Sequence, residues 1–296
     1  MEYLSGFAAI VGRPNVGKST LLNALVGTKV AIVSDKPQTT RRRILGVVDE
    51  PGGQLVCIDT PGIHKPKHAL GQTMVGQALG ALAEVDLILH VVDASSRPAG
   101  GERYVAQRLA AVATPVVLVL NKLDLAPDVR AAALAYGALH QYTSVASVSA
   151  LAGTGLTELK RLCFSFLSPG PRYFPEGTVT DQPEHLLVAE LVRERILLHT
   201  REEVPHAVAV AVEEMTERAS GLFYVSAAIY VEKESQKAII IGQGGRLLRQ
   251  VGQEARLEIE GMLGVRLYLD LWVKVRKDWR NDRRSLAGLG YEPGRR

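Results

Sequence analysis

Gly12-Arg13-Pro14-Asn15-Val16-Gly17-Lys18-Ser19 follows the apolar run Phe7–Val11 and opens into the helix-forming run Lys18–Val26. A glycine, four residues, then glycine, lysine and serine between a strand and a helix make a phosphate cradle. Gly12 and Gly17 let the backbone wrap tightly, so that N–H groups around Val16 and the start of the helix point at a β-phosphate. Lys18 supplies a cation to the β- and γ-phosphates. The Ser19 hydroxyl is a ligand for Mg²⁺, and Thr20 closes the first helical turn.

Outward from this stretch, short apolar runs alternate with amphipathic ones up to about residue 166. Ile44–Asp49 and Leu55–Asp59 read as two strands joined at Pro51-Gly52-Gly53. Leu87–Val92, Val116–Leu120 and Ser147–Ser149 read as three more. The alternation predicts an α/β domain whose mostly parallel sheet is covered on both faces, with one antiparallel edge. Ligands in such folds sit beyond the carboxyl ends of the strands, and two further motifs lie there. Asp59-Thr60-Pro61-Gly62 offers a carboxylate for a Mg²⁺-bound water and the Gly62 N–H for a γ-phosphate. In Asn121-Lys122-Leu123-Asp124, Asp124 can accept both N1–H and N2–H₂ of guanine, a pair that adenine lacks. Asn121 braces the loop, the Lys122 stem covers the base, and the N–H groups of Ser149-Ala150 are expected at guanine O6. GTP and GDP are therefore the expected ligands, with Mg²⁺; an ATP-dependent enzyme fits poorly.

Breakers crowd 168–178 (Pro169, Gly170, Pro171, Pro175 and Gly177), which reads as a linker between a domain at 1–167 and a second at 179–280. The second unit reads as a helix at Glu184–Glu202, strands at Ala207–Glu213 and Gly221–Glu232, a very short helix ending at Ile241, a glycine turn, a helix at Leu247–Leu257 and a strand at Val265–Val275. Net charge is +4 over 1–177, −5 over 178–239 and +5 over 240–296. The basic excess thus begins at the glycine turn and runs into a basic tail, 281–296, for which plain solvation is the alternative to binding a polyanion. A field of this kind attracts a polyanion although the whole chain carries only +4. Gly242-Gln243-Gly244-Gly245, flanked by isoleucines and a basic helix, permits close approach of a nucleic-acid backbone.

The joint pattern resembles the Era GTPases, within the Ras-like translation-factor group. DTPG and NKLD resemble that group's third and fourth G motifs, and Asp35–Arg41 (DKPQTTR) resembles the Era switch I. There a threonine ligates Mg²⁺ only when the γ-phosphate is present. Thr40 is the better match and Thr39 stands beside it, so Ser19, Thr40 and Asp59 are the expected metal ligands. Catalysis is assigned to Lys18, Thr40, Asp59, Gly62 and Asn15. Ile63 stands where the Ras group has a water-orienting glutamine, and Asn15 matches the asparagine that helps hold K⁺ in relatives with a hydrophobic replacement. The resemblance implies a P-loop GTPase domain followed by a smaller α+β type II KH domain, binding the 3′ end of 16S ribosomal RNA during 30S subunit assembly. Ile239, Ile240 and Ile241 are expected in an apolar groove and Gly242–Gly245 at the RNA backbone. Arg246, Arg249, Lys274, Arg276 and Lys277 are expected to supply charge. A monomer in the bacterial cytoplasm is expected. A second domain that instead binds a protein or the anionic inner face of the cell membrane is the alternative.

Other residues carry weaker expectations. Cys57 and Cys163 read as buried thiols in a reducing cytosol. His64 and His68 are spaced to share a helix face. His140 and His199 lack a zinc spacing. Glu213-Glu214 reads as a solvated strand end, Trp272 as core, and Trp279 as either core or a base-stacking platform. No apolar run reaches membrane-helix length, and the start lacks a secretion-signal pattern.

Overall fold

The computed structural model describes residues 2–66, 68–218 and 221–291. Its first part runs β1 (Leu4–Val11), α1 (Lys18–Val26), β2 (Ile44–Glu50), β3 (Gly53–Asp59), α2 (Ala69–Ala81), β4 (Leu87–Asp93), α3 (Gly100–Leu109), β5 (Val116–Asn121), α4 (Val129–Gly137), β6 (Ser144–Ser147), α5 (Leu156–Phe164) and β7 (Ser168–Pro169). The strand order is β2-β3-β1-β4-β5-β6, with β7 beside the start of β1. Pairing is parallel from β3 to β6 and antiparallel for β2 and β7. Ala8, Ala9, Ile10 and Val11 of the central strand are all fully buried, which explains its unbroken apolar run. The last strand lies three residues before the Ser147–Ser149 expectation. It is only four residues long, with serines at both ends and Val145 exposed at the sheet edge, so it lacks the apolar run that marks the inner strands.

The second part comprises α6 (Glu184–His199), α7 (Val204–Ala207), β8 (Ala209–Arg218), β9 (Leu222–Val231), α8 (Glu234–Ile241), a tight turn at Gln243–Gly245, α9 (Arg246–Leu263), β10 (Arg266–Val275) and α10 (Arg283–Gly288). Its sheet is ordered β10-β9-β8. Antiparallel β8–β9 and parallel β9–β10 pairing require the α8–α9 crossover between the two parallel strands. Val188, Val192 and Ile196 of α6, Val251, Ala255 and Ile259 of α9, and Val225 and Ile229 of β9 share one core.

Some expectations hold here and others are corrected. The 168–178 stretch is strapped along the first domain. Gly170 N–H donates to the Tyr3 carbonyl (3.0 Å), Gln54 bonds the backbone of Tyr173 and Phe174, and Arg172 pairs with Asp49. Just beyond, Val47 N–H reaches the Val179 carbonyl (2.9 Å). The described part of the tail is not solvated: α10 and the residues after it bury Leu286, Leu289 and Tyr291 against Trp279, Leu70 and Met74; residues 292–296 lie outside the described residues. Trp279 is core, its Nε1 donating to the Ala207 carbonyl (2.8 Å), whereas Trp272 is 56% exposed. His68 caps the start of α2, and His64 lies in the preceding loop on the Gly62 carbonyl (2.7 Å), so the two share no helix face. Cys57 and Cys163 are buried free thiols.

Candidate functional site

The wrap between β1 and α1 exists because only glycine fits it. A Cβ on Gly12 would stand 2.3 Å from the Val91 carbonyl oxygen, and one on Gly17 would stand 2.4 Å from Nδ2 of Asn121. Gly17 thereby lets the fourth motif close on the first. Asn121 Nδ2 donates to the Val16 carbonyl (2.9 Å), and its Oδ1 accepts from Ala150 N–H (3.0 Å). One side chain ties three loops together at the carboxyl end of the sheet.

Lys18 is buried, its Nζ donating to the Arg13 carbonyl (2.9 Å). Burial pushes its ammonium down to about 8, and the Asp59 carboxylate acts in the opposite sense. Burial pushes Asp59 up, opposed by Lys18 and by hydrogen bonds from Ser19, Thr40 and the Thr60 backbone. Ser19 Oγ lies 2.6 Å from Oδ2 of Asp59 and 2.7 Å from Oγ1 of Thr40, which is itself 3.3 Å from that carboxylate. Oδ1 of Asp59 is buried without a hydrogen-bond partner. A buried orphan acceptor is costly, and a hard divalent cation on this set of oxygens removes the cost. The residues fit Mg²⁺. Thr39 is turned elsewhere, its hydroxyl donating to the Lys36 carbonyl (2.7 Å).

Asn15 sits at φ +65° and donates Nδ2 to the Asp35 carbonyl (2.6 Å), holding the first loop against switch I. Gly62 packs on Pro14. Ile63 is buried with Ala9, Val11 and Ala78, away from the phosphate cavity. Beside that cavity is another of about 500 Å³, lined by Asn121, Lys122, Asp124, Leu125, Ala150 and Leu151. Asn15, Gly17, Thr20, Val33 and Ser34 line both, so Lys18 and Asp124 open on one continuous cleft. Lys122 is anchored by Asp93 (2.6 Å), and the Ser149 hydroxyl donates to Asp124. One expectation is revised: Ser149 N–H already donates to the Thr154 carbonyl (3.0 Å) and Ala150 N–H to Asn121. The Ser149 hydroxyl instead holds the Asp124 carboxylate in place.

In the second domain Gly242, Gly244 and Gly245 all have φ between +59° and +77°, a region other residues enter at a cost. The groove beyond this turn runs between α9 and the edge strand β10. Its walls include Gly245, Leu248, Arg249, Gly252, Arg256, Tyr268 and Leu271. Ile240 is not in it: the side chain is fully buried in the domain core, and Ile239 and Ile241 do not line the groove either. Lys274 and Arg276 lie over the opposite sheet face, on Glu213 (2.6 Å) and the Tyr230 ring. Glu213 and Glu214 are exposed as expected, although the strand runs on past them to Arg218. Arg246 and Lys277 are exposed outside the groove. The lining residues on α9 were legible as a set, because Gly245, Arg249, Gly252 and Arg256 recur at helical spacings of three and four.

A family model described as 50S ribosome-binding GTPase matches residues 7–122, and one described as KH domain matches residues 203–280. "GTPase Era" of Heliobacterium modesticaldum is 53% identical over 295 residues, covering 99% of both chains. That of Carboxydothermus hydrogenoformans is 54% identical, covering 98% of this chain and 99% of its own. Among solved structures, Era in complex with MgGDPNP and nucleotides 1506–1542 of 16S ribosomal RNA superposes with a TM-score of 0.94 at 40% identity, over 98% of this chain and 99% of that one. A point variant of Aquifex aeolicus Era bound to GDP·AlF4⁻ gives 0.93 at the same identity and coverage. With its phosphate cradle, guanine loop and glycine-turn groove in one chain, this protein belongs to the Era family of GTPases.

Proposed function

We propose that this GTPase binds the 3′ end of small-subunit ribosomal RNA in the α9–β10 groove while GTP occupies the cleft, and acts in assembly of the 30S subunit. The observation that carries the reading is the groove itself. Glycines at its mouth admit a sugar–phosphate backbone, Arg249 and Arg256 flank it with charge, and Tyr268 and Leu271 give bases an apolar wall. The complex of Era with 16S nucleotides 1506–1542 supports the choice of RNA.

In hydrolysis, water attacks the γ-phosphorus in line and GDP leaves. Lys18 and the Gly62 N–H hold the charge that gathers on the phosphoryl oxygens. Asp124 and Lys122 fix the base. Ser19, Thr40 and Asp59 hold Mg²⁺, which when bound neutralises phosphate charge. Thr40 rather than Thr39 is the switch I ligand in this reading, because it alone of the two meets Ser19 and Asp59. The buried Ile63 leaves water orientation to other groups, and a monovalent cation near Asn15 is proposed to supply part of the charge. Hydrolysis is then faster in K⁺ than in Na⁺ at matched ionic strength, and equal rates remove the cation from the mechanism.

Crosslinking in cells, with the bound RNA read at nucleotide resolution, tests the main reading. A peak near the 3′ end of the small-subunit RNA supports it; scatter over unrelated transcripts overturns it. The reading takes the protein as a cytoplasmic monomer, checked by sedimentation. Salt-sensitive liposome binding without RNA preference would favour a peripheral membrane role instead.

A further inference from the structure

Two consecutive residues of α6, in the KH domain, hold the chain that leads into switch I and the switch itself near its end. Arg193 is fully buried beside Glu190 (3.0 Å from Nε), and its Nη2 also donates to the Thr39 carbonyl. Glu194 is 2% exposed, and its Oε1 accepts the Val33 N–H at 2.8 Å. Its Oε2 takes Lys29 (2.5 Å) and Arg195 (3.0 Å). Between them these contacts fix a segment whose first residue, Val33, lines both halves of the nucleotide cleft, and whose end, Thr40, sits on Ser19 and Asp59. Ile32, at the entry to the segment, is buried in the KH core.

We infer that Arg193 and Glu194 are positioning residues for the nucleotide, with different selectivity: Arg193 for GTP over GDP, Glu194 for both nucleotides. The difference follows from what each one holds. The Thr39 carbonyl is one peptide from the threonine that meets the metal-binding oxygens, so Arg193 acts on the state that contains a γ-phosphate. Val33 lines the stretch shared by the phosphate and base halves of the cleft, which both nucleotides occupy, so Glu194 acts on both. Arg193 keeps Nη1 without a partner although it is buried. The inference rests on the reading of Thr40 as the ligand of the GTP state.

The test uses the full-length protein and compares equilibrium affinities for GDP and a non-hydrolysable GTP analogue, with Mg²⁺, in four variants. Glu190→Leu/Arg193→Met removes the buried pair without leaving an uncompensated charge. It is expected to weaken the GTP analogue about tenfold or more, the size of one lost charge-assisted hydrogen bond, and GDP less than about twofold. KM for GTP rises accordingly, while thermal unfolding stays cooperative. Glu194→Leu weakens both nucleotides by a similar factor. Glu194→Gln, which keeps an oxygen for Val33, restores most of the loss. Thr40→Ala reports on the underlying reading: it must lower the GTP-to-GDP preference whatever α6 does. If Thr40→Ala lowers it and the folded Glu190→Leu/Arg193→Met protein keeps the wild-type preference, the role of Arg193 is overturned. If Glu194→Leu leaves both affinities unchanged, the role of Glu194 is. If Thr40→Ala itself has no effect, the reading beneath both falls.

Discussion

Thr39 and Thr40 are adjacent and chemically identical, yet the structure gives them opposite surroundings, so replacing each in turn is a sharp test of the site. Thr40 Oγ1 meets Ser19 Oγ at 2.7 Å and Asp59 Oδ2 at 3.3 Å. Thr39 Oγ1 donates to the Lys36 carbonyl at 2.7 Å, inside its own loop. Thr40→Ala removes an oxygen from a buried, charged cluster. A contact of that class contributes roughly 1.5–3 kcal/mol, which is about 10- to 100-fold in affinity. Thr39→Ala removes one neutral hydrogen bond, about 0.5–1.5 kcal/mol, spread over both nucleotide states because it only loosens the loop. The assay is displacement of a fluorescent nucleotide by GDP and by a GTP analogue, with Mg²⁺ and again with a chelator. Thr40→Ala should lose GTP-analogue affinity only when Mg²⁺ is present and hold GDP nearly unchanged. Thr39→Ala should shift both by a similar factor, about 2- to 10-fold, with the chelator making no difference. A Thr39→Ala protein that loses the Mg²⁺-dependent preference, beside a Thr40→Ala protein that keeps it, would refute the geometry.

Asp124→Asn should exchange guanine for xanthine preference, since the amide supplies a donor where the base now carries an oxygen. Two charge-assisted bonds are lost to guanine, so GDP affinity falls about a hundredfold or more in competition binding. Arg249→Ala and Tyr268→Ala should each weaken single-stranded RNA binding roughly tenfold, the usual scale for a stacked base or a phosphate contact. Lys274→Ala, whose ammonium sits on Glu213 across the sheet from the groove, should leave RNA affinity close to wild type in the same titration. Burial pushes His90 down to about 3, so below the ordinary histidine value the unfolded chain takes up a proton that the folded chain refuses. Stability should fall by about 2 kcal/mol between about pH 7 and pH 5. Denaturant midpoints of a His90→Gln variant should show a correspondingly smaller fall, and an identical one would assign the dependence elsewhere.

The nucleotide loops were legible because each is a contiguous motif at a strand end, where an α/β sheet presents its ligands. What joins them was not: Asn121 reaches Val16 and Ala150 only after the sheet has brought three distant loops to one edge. Trp272 could have been placed correctly. In Arg266–Val275 the apolar residues Leu267, Leu269, Leu271, Val273 and Val275 alternate with Tyr268, Asp270, Trp272 and Lys274, and period two puts the tryptophan outside. It was misread because a large aromatic in a strand suggests core. Trp279 sits in a basic, polar stretch, and only the return of the tail over α2 buries it. Charged residues were the least legible. Arg41 and Arg193 look like surface arginines, but both are buried at the contact between switch I and the second domain. Arg41 donates there to the carbonyls of Val208, Pro205 and His206. Single-sequence patterns record which residues are charged, and not which carbonyls the fold will leave for them.

That contact changes where communication between the sites must run. A flexible linker would let the domains reorient without constraint, but the 168–178 stretch lies strapped to the first domain. The shorter route is direct. Switch I ends on α6, and Lys29 and Arg195 each bridge Glu194 on α6 to Glu258 on α9, the helix that walls the groove. Hydrogen bonds to fixed carbonyls and buried ion pairs depend steeply on geometry, so a small displacement of switch I forfeits them. The apolar packing of α2 against Trp279, Leu286 and Tyr291 is non-directional and tolerates such a shift. The two contacts meet at the end of switch I, where Arg41 lies over the Trp279 ring and Arg42 over Tyr291. By linkage, an RNA that favours one placement of α9 against α6 must alter nucleotide affinity by the same free energy with which the nucleotide alters RNA affinity. The ion pairs on Glu258, the His199–Glu254 contact and the shared apolar core together join α6, which holds the switch segment, to the groove helix.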